Sequence, residues 1–451
     1  METRRDFIKK TSTAAIAIGG AGLGLSAKSY GQILGANDKV RVGIVGYSDR
    51  FRSSLLPSFM NHAKELNFEF SAISDIWSRR RDEGKAEIKG KTGFDVTLFR
   101  NNEEMFDKNA VDAVIISTAD FQHAMHLTEA AIARKDAYCE KPLGETMDDV
   151  NETLKACKAN NIVVQIGSQR RSANNYHAAH KYINSGKFGD IIMVEMCWNV
   201  NQPGRWRRVP LCSQIKKEDT DWVRFLNNRP MVEWDPRKYL EFRLFWPYSS
   251  GIPGQWMAHQ IDTVHWFTGL AYPRSVVANG GIYQWKDGRT NADTLTAVFD
   301  YGPDNDKTKG FQVVYSSRFS NSAGGTKELY YSNSGMLNLD TNEISPTGGL
   351  RKREADAMGL SENLLTPLKL SEVEAVVTDA NTGGDNMTSS HMRNWMECIR
   401  ARNVKTNAPI EAGHSHTIAC AMANAAYRTG LRVIYNPKNQ QIMAGGQVFK
   451  Y

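Results

Sequence analysis

The residues in this chain that could do chemistry begin with a lysine. Tyr138-Cys139-Glu140-Lys141-Pro142-Leu143 closes an apolar run that reads as a strand, so Lys141 stands where an open α/β sheet delivers its ligands. A lysine ammonium crowded out of water there gives up its proton more easily than usual, and can exchange it with a substrate hydroxyl. A second feature lies upstream. Gly43-Ile44-Val45-Gly46-Tyr47-Ser48-Asp49-Arg50-Phe51 occupies the first strand-to-helix turn, where a G-x-G-x-x-G loop would bring backbone amides to a pyrophosphate. The aligned positions read Gly46, Ser48 and Phe51. One glycine survives, Ser48 is small enough for close approach, and Phe51 denies the usual tight packing of helix on strand. Asp75 ends the second strand, where a carboxylate hydrogen-bonds a ribose 2′-hydroxyl. It lies 29 residues past Gly46, against the usual spacing of about 20, and a lengthened first helix absorbs the difference. Asp75 favours NAD, and Arg79 with Arg80 keeps NADP as the alternative.

The elements that must position these residues follow from the apolar pattern. Val40–Val45, Glu69–Ser74, Val111–Ser117, Asp136–Glu140 and Ile162–Gly167 read as buried strands, with helices at Ser53–Glu65, His123–Arg134 and Met147–Asn160. Six βα steps in about 130 residues predict a doubly wound, mostly parallel Rossmann-type sheet. Arg170 and Tyr176 follow its last strand, near where a ligand should lie, and are candidate substrate residues. After Gly167 the texture changes to a helix at Asn175–Ser185, a strand at Ile191–Asn199, and a stretch rich in Trp, Arg and Pro to about Tyr248. Strands at Ser275–Gly280, Thr294–Asp300, Gly310–Arg318, Lys327–Ser332 and Met336–Asp340 succeed one another without helices, which predicts an α+β domain with a large, mostly antiparallel open-faced sheet. Residues 341–385 are polar and read as irregular. Helices at Met387–Arg402 and His414–Thr429 close the chain. The expected division is 38–167 for the Rossmann-type domain and 168–440 for a substrate and oligomerisation domain.

Composition bounds the function. The chain has 451 residues, 41% hydrophobic and 23% charged, enough to bury a real core and too much to be disordered throughout. No apolar run reaches the roughly 18 residues of a spanning helix, so membrane insertion is not expected. The net charge of +7 is carried partly by residues 1–31, and the remainder is too weakly basic to argue for a nucleic-acid partner. Those residues read as an address. Thr3-Arg4-Arg5-Asp6-Phe7-Ile8-Lys9, an apolar stretch from Ala14 to Leu25, and Ser26-Ala27-Lys28-Ser29 resemble a twin-arginine export signal, which implies a periplasmic protein exported already folded. The six cysteines are widely spaced with no C-x-x-C, so neither a zinc site nor a disulfide framework is suggested, and Cys139, Cys197 and Cys420 read as buried thiols.

Taken in order, several segments resemble the glucose–fructose oxidoreductase/inositol dehydrogenase (Gfo/Idh/MocA) family. Val114–His123 resembles that family's strand, Thr-Pro and downstream His, with Ala119 in place of the proline. Glu140-Lys141-Pro142 matches its central motif, and Ile166–Arg171 its next strand end. Gly251–Asp262 resembles its G-G-x-x-x-D-x-x-x-H-x-x-D segment, and His391–Arg400 with Pro409–Thr429 its closing helices. The resemblance implies a tightly bound NAD held by Gly46, Ser48, Asp49, Arg50, Asp75, Ser117, Thr118, His123, Glu140, Lys141 and Gln169. It implies Lys141 and His259 as catalytic residues on a sugar or polyol hydroxyl, with Gln255 where the family has its aspartate, and a homo-oligomer, dimeric or tetrameric. Gln255 can orient a hydroxyl but cannot take its proton. Lys141 and His259 then share the work, or another carboxylate intrudes, or the protein binds without turnover. Asp262 is read as orienting structure.

Seven tryptophans fall between Trp198 and Trp266. With Arg205, Arg207 and Arg243 they could line a pocket for an oxidised or acidic saccharide. The expected activity is hydride transfer between NAD(P) and a hydroxyl or keto carbon of a sugar derivative. Two alternatives stand beside it: an NAD-dependent glycosidase working through transient sugar oxidation, whose G-H-G-G-M-D motif is absent here, and a non-catalytic saccharide-binding protein.

Overall fold

The computed structural model describes residues 39–370 and 386–450. The export-signal reading falls outside them. Six parallel strands, β1 (Val40–Val45), β2 (Phe68–Ser74), β3 (Thr97–Phe99), β4 (Ala113–Ile116), β5 (Asp136–Cys139) and β6 (Val164–Ile166), form a sheet in the order β3-β2-β1-β4-β5-β6. β4, β5 and β6 are buried at every position, as strands covered on both faces must be. The strand order reverses between β1 and β4, and that reversal opens the crevice in which such sheets hold ligands.

One strand of this sheet and two helices were not legible. The helix Ser78–Thr92 buries only Gly84 and Ile88, so it carries no apolar period. It is fixed by ion pairs instead, Arg52 with Glu87 and Arg79 with Glu83, both at 2.7 Å. β3 has three residues, and the helix Asn102–Asp107 six, capped by Asn101.

The second sheet has eleven strands. β7 (Ile191–Asn199), β8 (Ser275–Gly281), β9 (Thr294–Tyr301), β10 (Phe311–Arg318), β11 (Thr326–Ser332) and β12 (Gly335–Asn338) correspond to the expected ones. β13 (Glu343–Ser345), β14 (Leu368–Lys369), β15 (Val433–Asn436), β16 (Gln441–Ala444) and β17 (Gln447–Val448) were not foreseen. The order is β14-β13-β12-β11-β7-β10-β9-β8-β15-β16-β17, antiparallel except where β7 runs parallel to β10. Residues 341–370 are therefore not irregular throughout, and the chain does not end on a helix. Along β9, Leu295, Ala297, Phe299 and Tyr301 point to the covered face. On the other face Ile192, Val277 and Ile434 are exposed.

The helices Ala258–Thr268 and Ile410–Thr429 cover the sheet. The second is buried almost all round, because it also packs on the helix Met147–Asn160 of the first domain. The division at residue 168 is crossed once more. Met392, Trp395, Met396 and Ile399 of the helix Asn386–Ala401 enter the core behind β1 and β2, and Trp395 meets Phe68 and Tyr138 edge-on or tilted. Trp395 is wholly buried, and removing such a side chain costs about 3–5 kcal/mol. The helix thus ties the end of the chain to the Rossmann half. Strands β16 and β17 likewise carry the second domain past residue 440.

All six cysteines are free thiols, with Cys139, Cys197 and Cys420 buried. Among the described residues no helix is long and apolar enough to cross a membrane.

Candidate functional site

A cavity of about 820 Å³ opens at the carboxyl ends of β1 and β4. The first strand-to-helix turn forms one wall. Gly46 sits at φ +82°, and a Cβ there would lie 2.6 Å from Thr118 Cγ2, so the surviving glycine is required by both backbone and space. The Ser117 hydroxyl donates to the Gly46 carbonyl at 2.8 Å and locks the loop to β4. Ser48 Oγ accepts from the Phe51 amide at 3.2 Å. Phe51 does not block the helix. The chain enters it through a π-helical turn, Phe51–Leu55, and the ring is wholly buried between Tyr47 and Phe70, with centroids 5.4 and 5.6 Å away. This turn and the helix Leu56–Leu66 account for the long spacing from Gly46 to Asp75.

Asp75 accepts from the Tyr47 and Trp77 amides, each at 2.8 Å, which fixes its carboxylate at the cavity's edge. Burial raises its pKa against those two bonds. Arg80 turns to Asp49 at 2.8 Å, whereas Arg79 pairs with Glu83 and does not line the cavity. Thr118 lines the cavity with a buried hydroxyl that has no partner. A glycine turn that admits no Cβ, an unpartnered hydroxyl beside it and a fixed carboxylate at the next strand end are the fittings of a dinucleotide.

Deeper in, Arg50 Nε meets Glu140 Oε1 at 2.8 Å. Burial opposes the charge on Glu140, but Arg50 outweighs it and holds the pKa below its usual value. Gln169, with its amide nitrogen toward the Gly167 carbonyl at 2.8 Å, turns its oxygen to Arg50. His123 bridges the carbonyls of Pro142, at 2.7 Å, and Thr118, at 3.2 Å, and burial lowers its pKa.

Lys141 Nζ donates to the backbone carbonyl of Gln255 at 2.8 Å and lies 3.5 Å from that of Gly254. Burial lowers its pKa to about 8, against the opposing charges of Glu140 and Asp120. His259 lines the same end of the cavity, its ring 5.8 Å from that of Trp198. Burial, then the Lys141 charge, push its pKa well down, so the imidazole is neutral. Gln255 is held at both ends of its side-chain amide. Its amide nitrogen donates to Asp120, and its oxygen accepts from Arg243 Nε at 2.8 Å. Asp120 is a buried carboxylate behind the cavity wall that the sequence reading did not single out. It stands one residue after Ala119, at the end of β4, and its position beyond a parallel strand was the overlooked signal.

Three expectations are corrected. Arg170 and Tyr176 do not reach the cavity, because both turn to buried Glu328: Arg170 as an ion pair stacked over the Tyr176 and Trp198 rings, Tyr176 through its hydroxyl at 3.2 Å. Arg207 is spent on Glu241 and Asp287, at 3.0 and 3.2 Å, while Arg208 lines the cavity instead. The large sheet of the domain expected to hold substrate does not line the cavity. The wall facing the Rossmann half comes from the Trp- and Arg-rich stretch, through Arg205, Trp206, Arg208, Phe242 and Arg243, and from Gln255, Trp256 and His259. The sheet lies behind, where Trp198 of β7 packs on Trp256 at 4.6 Å. Asp262 is held by Arg171 at 2.8 Å, and that ion pair keeps its pKa low despite burial.

Comparison with known proteins agrees with this geometry. Residues 40–168 match the oxidoreductase family with an NAD-binding Rossmann fold (GFO/IDH/MocA). An uncharacterized oxidoreductase of Streptococcus pneumoniae is 31% identical over 111 residues, 24% of this chain and 30% of that protein. The myo-inositol 2-dehydrogenase of Thermotoga maritima is 27% identical over 128 residues, 28% of this chain and 38% of that protein. The matches thus span less than half the length of these curated relatives. Among solved structures, the WlbA dehydrogenase of Bordetella pertussis, in complex with NADH and UDP-GlcNAcA, superposes with a TM-score of 0.60 at 17% identity, over 89% of this chain and 99% of that one. Residues 40–168 thus match an NAD-binding Rossmann family of oxidoreductases, and the whole described chain shares the two-sheet fold of the solved structure.

Proposed function

We propose that this protein transfers a hydride between NAD and a hydroxyl or keto carbon of a sugar or polyol. The observation that carries the reading is the convergence, in one cavity, of the Gly46–Arg50 loop and Asp75 with Lys141 and His259. When bound, NAD supplies the hydride acceptor or donor. Gly46, Ser48 and Thr118 would hold its phosphates, and Asp75 its ribose.

The rest falls to side chains. With its pKa lowered to about 8, Lys141 takes the proton of a reacting hydroxyl or returns it to a carbonyl oxygen. The Gln255 carbonyl holds the amine in place at 2.8 Å. His259, neutral throughout the working range, offers that hydroxyl a second hydrogen bond. Asp120, through Gln255, fixes Arg243 on the opposite wall. The myo-inositol dehydrogenase among the relatives supports a polyol or sugar as substrate.

We extend the proposal to export by the twin-arginine route, supported by Thr3–Lys9, and to self-association through the open sheet face, supported by exposed Ile192, Val277 and Ile434. The test of the activity is direct. Protein purified without added nucleotide is denatured and its released small molecules are identified by mass spectrometry, and intact protein is assayed with a panel of sugars and polyols for a change in nicotinamide absorbance. Released or titratable NAD together with substrate-dependent reduction is expected. Failure to bind either nicotinamide dinucleotide would overturn the reading.

A further inference from the structure

The charges lining the cavity are not evenly placed. Its carboxylates, Asp49, Asp75 and Glu140, all belong to the Rossmann wall and are engaged there. Asp49 meets Arg80 and Arg208, at 2.8 and 3.3 Å, Glu140 meets Arg50, and Asp75 takes two backbone amides. Lys141 follows Glu140 directly, whereas Arg205 and Arg243, from the second domain, make no hydrogen bond to a lining carboxylate. Lys141 Nζ donates to two backbone carbonyls, and the charges of Glu140 and Asp120 favour its ammonium form. Arg243 spends one nitrogen on Gln255, and the nearest carboxylate, Asp120, is 3.7 Å away, past hydrogen-bond length. Arg205 lies 4.2 Å over the Trp256 ring and gives one nitrogen to Gln202, while its Nε is buried with no partner. The Trp256 indole N–H is buried and unpartnered beside it. Burial and the charges of Arg243 and Arg208 lower the pKa of Arg205 to about 10.

Arg205, held beside Arg243 with one buried donor unspent and no carboxylate of its own, is best completed by an anion. A planar carboxylate matches the guanidinium fork. The phosphates of a dinucleotide belong to the other wall, at the Gly46 turn. We infer that the substrate is an anionic saccharide, its carboxylate received by Arg205 and Arg243 while Lys141 faces the reacting hydroxyl. This rests on the proposed sugar oxidoreductase function and names its substrate class.

The test uses NAD-loaded protein. Hexuronates and aldonates, with D-glucuronate, D-galacturonate and D-gluconate as the first probes, are titrated by calorimetry beside their neutral parents D-glucose and D-galactose, and the same pairs are assayed for nicotinamide reduction. The acids are expected to bind roughly 10- to 100-fold tighter than the neutral sugars, the range of one or two charge-assisted hydrogen bonds. Arg205→Gln should abolish that preference and leave NAD affinity unchanged, with Arg205→Lys retaining part of it. Unaltered melting temperatures would show that both variants fold. Equal or tighter binding of the neutral sugars, or no binding of the acids, would overturn the inference. If a neutral sugar is nonetheless oxidised, the oxidoreductase reading survives that failure. If Arg205→Gln weakens NAD and spares the acids, the arginine serves the cofactor and the inference also falls.

Discussion

Gln255 donates its side-chain amide to Asp120, a carboxylate with no solvent exposure, which also accepts from the Ser249 hydroxyl at 2.7 Å. The residue that cannot take a proton is thus held by one that can carry charge. Asp120 is the second charge, after Glu140, that favours the protonated form of Lys141. Replacing it with Asn removes that charge and keeps the shape. The Lys141 pKa should then fall further below about 8, and the acid limb of the kcat/KM profile should move to lower pH. Asp120→Ala should move the limb in the same direction and also lower kcat, because Gln255 loses its anchor. A limb that stays put in both variants would leave Asp120 a structural role only.

Lys141 itself sets the next expectation. In the direction of alcohol oxidation the neutral amine must accept a proton, so kcat/KM should rise with pH and level off above about 8, where the amine is free. Lys141→Ala should lower kcat by about 10²- to 10⁴-fold, the usual contribution of a positioned acid or base. NAD affinity should change little. Full turnover by the alanine variant would remove the lysine from the mechanism.

How much of this was legible depends on what each residue had to say locally. The strand β4 is continuously apolar, and β1 and β5 are so but for Arg41 and Asp136, so their burial is written in their composition. Lys141 and His259 were found because they lie in recognisable runs. Asp120 was passed over because nothing beside it in sequence announces its partners, Gln255 and Ser249, which lie 135 and 129 residues away. The exchange of Arg207 for Arg208 has the same origin. Adjacent residues on an irregular segment point in different directions, and only the presence of Glu241 and Asp287 decides which one is spent. The turn that seats Phe51 went unforeseen because a π-helical turn has no sequence period to reveal it.

Gly46 offers a test that separates the loop from the chemistry. Gly46→Ala must place a Cβ against Thr118 while holding φ at +82°. Strain of this kind costs about 1–3 kcal/mol. The melting temperature should fall, and NAD affinity should fall with it as the turn retreats from β4. Ser48→Asp should spare stability and weaken NAD, since it sets a negative charge where the phosphates would lie. Wild-type affinity in both variants, measured by nucleotide titration, would deny the loop its role.

The last expectation concerns stability and comes from Glu145. Burial, with the Asp120 charge added, pushes its pKa from the ordinary 4.5 up to about 8. Between those two values the native protein holds a proton that the unfolded chain has released. Stability from this group is therefore present in full at low pH, and is lost as pH rises from about 4.5 toward about 8. Glu145→Gln keeps the shape and removes the titration. Over that window the variant's melting temperature should decline less steeply than the wild type's, so that the two curves draw apart toward pH 8 with the variant the more stable. Parallel curves from pH 5 to pH 8 in thermal melts would show that Glu145 is ionised in the native state, and would put its carboxylate in contact with water or a cation.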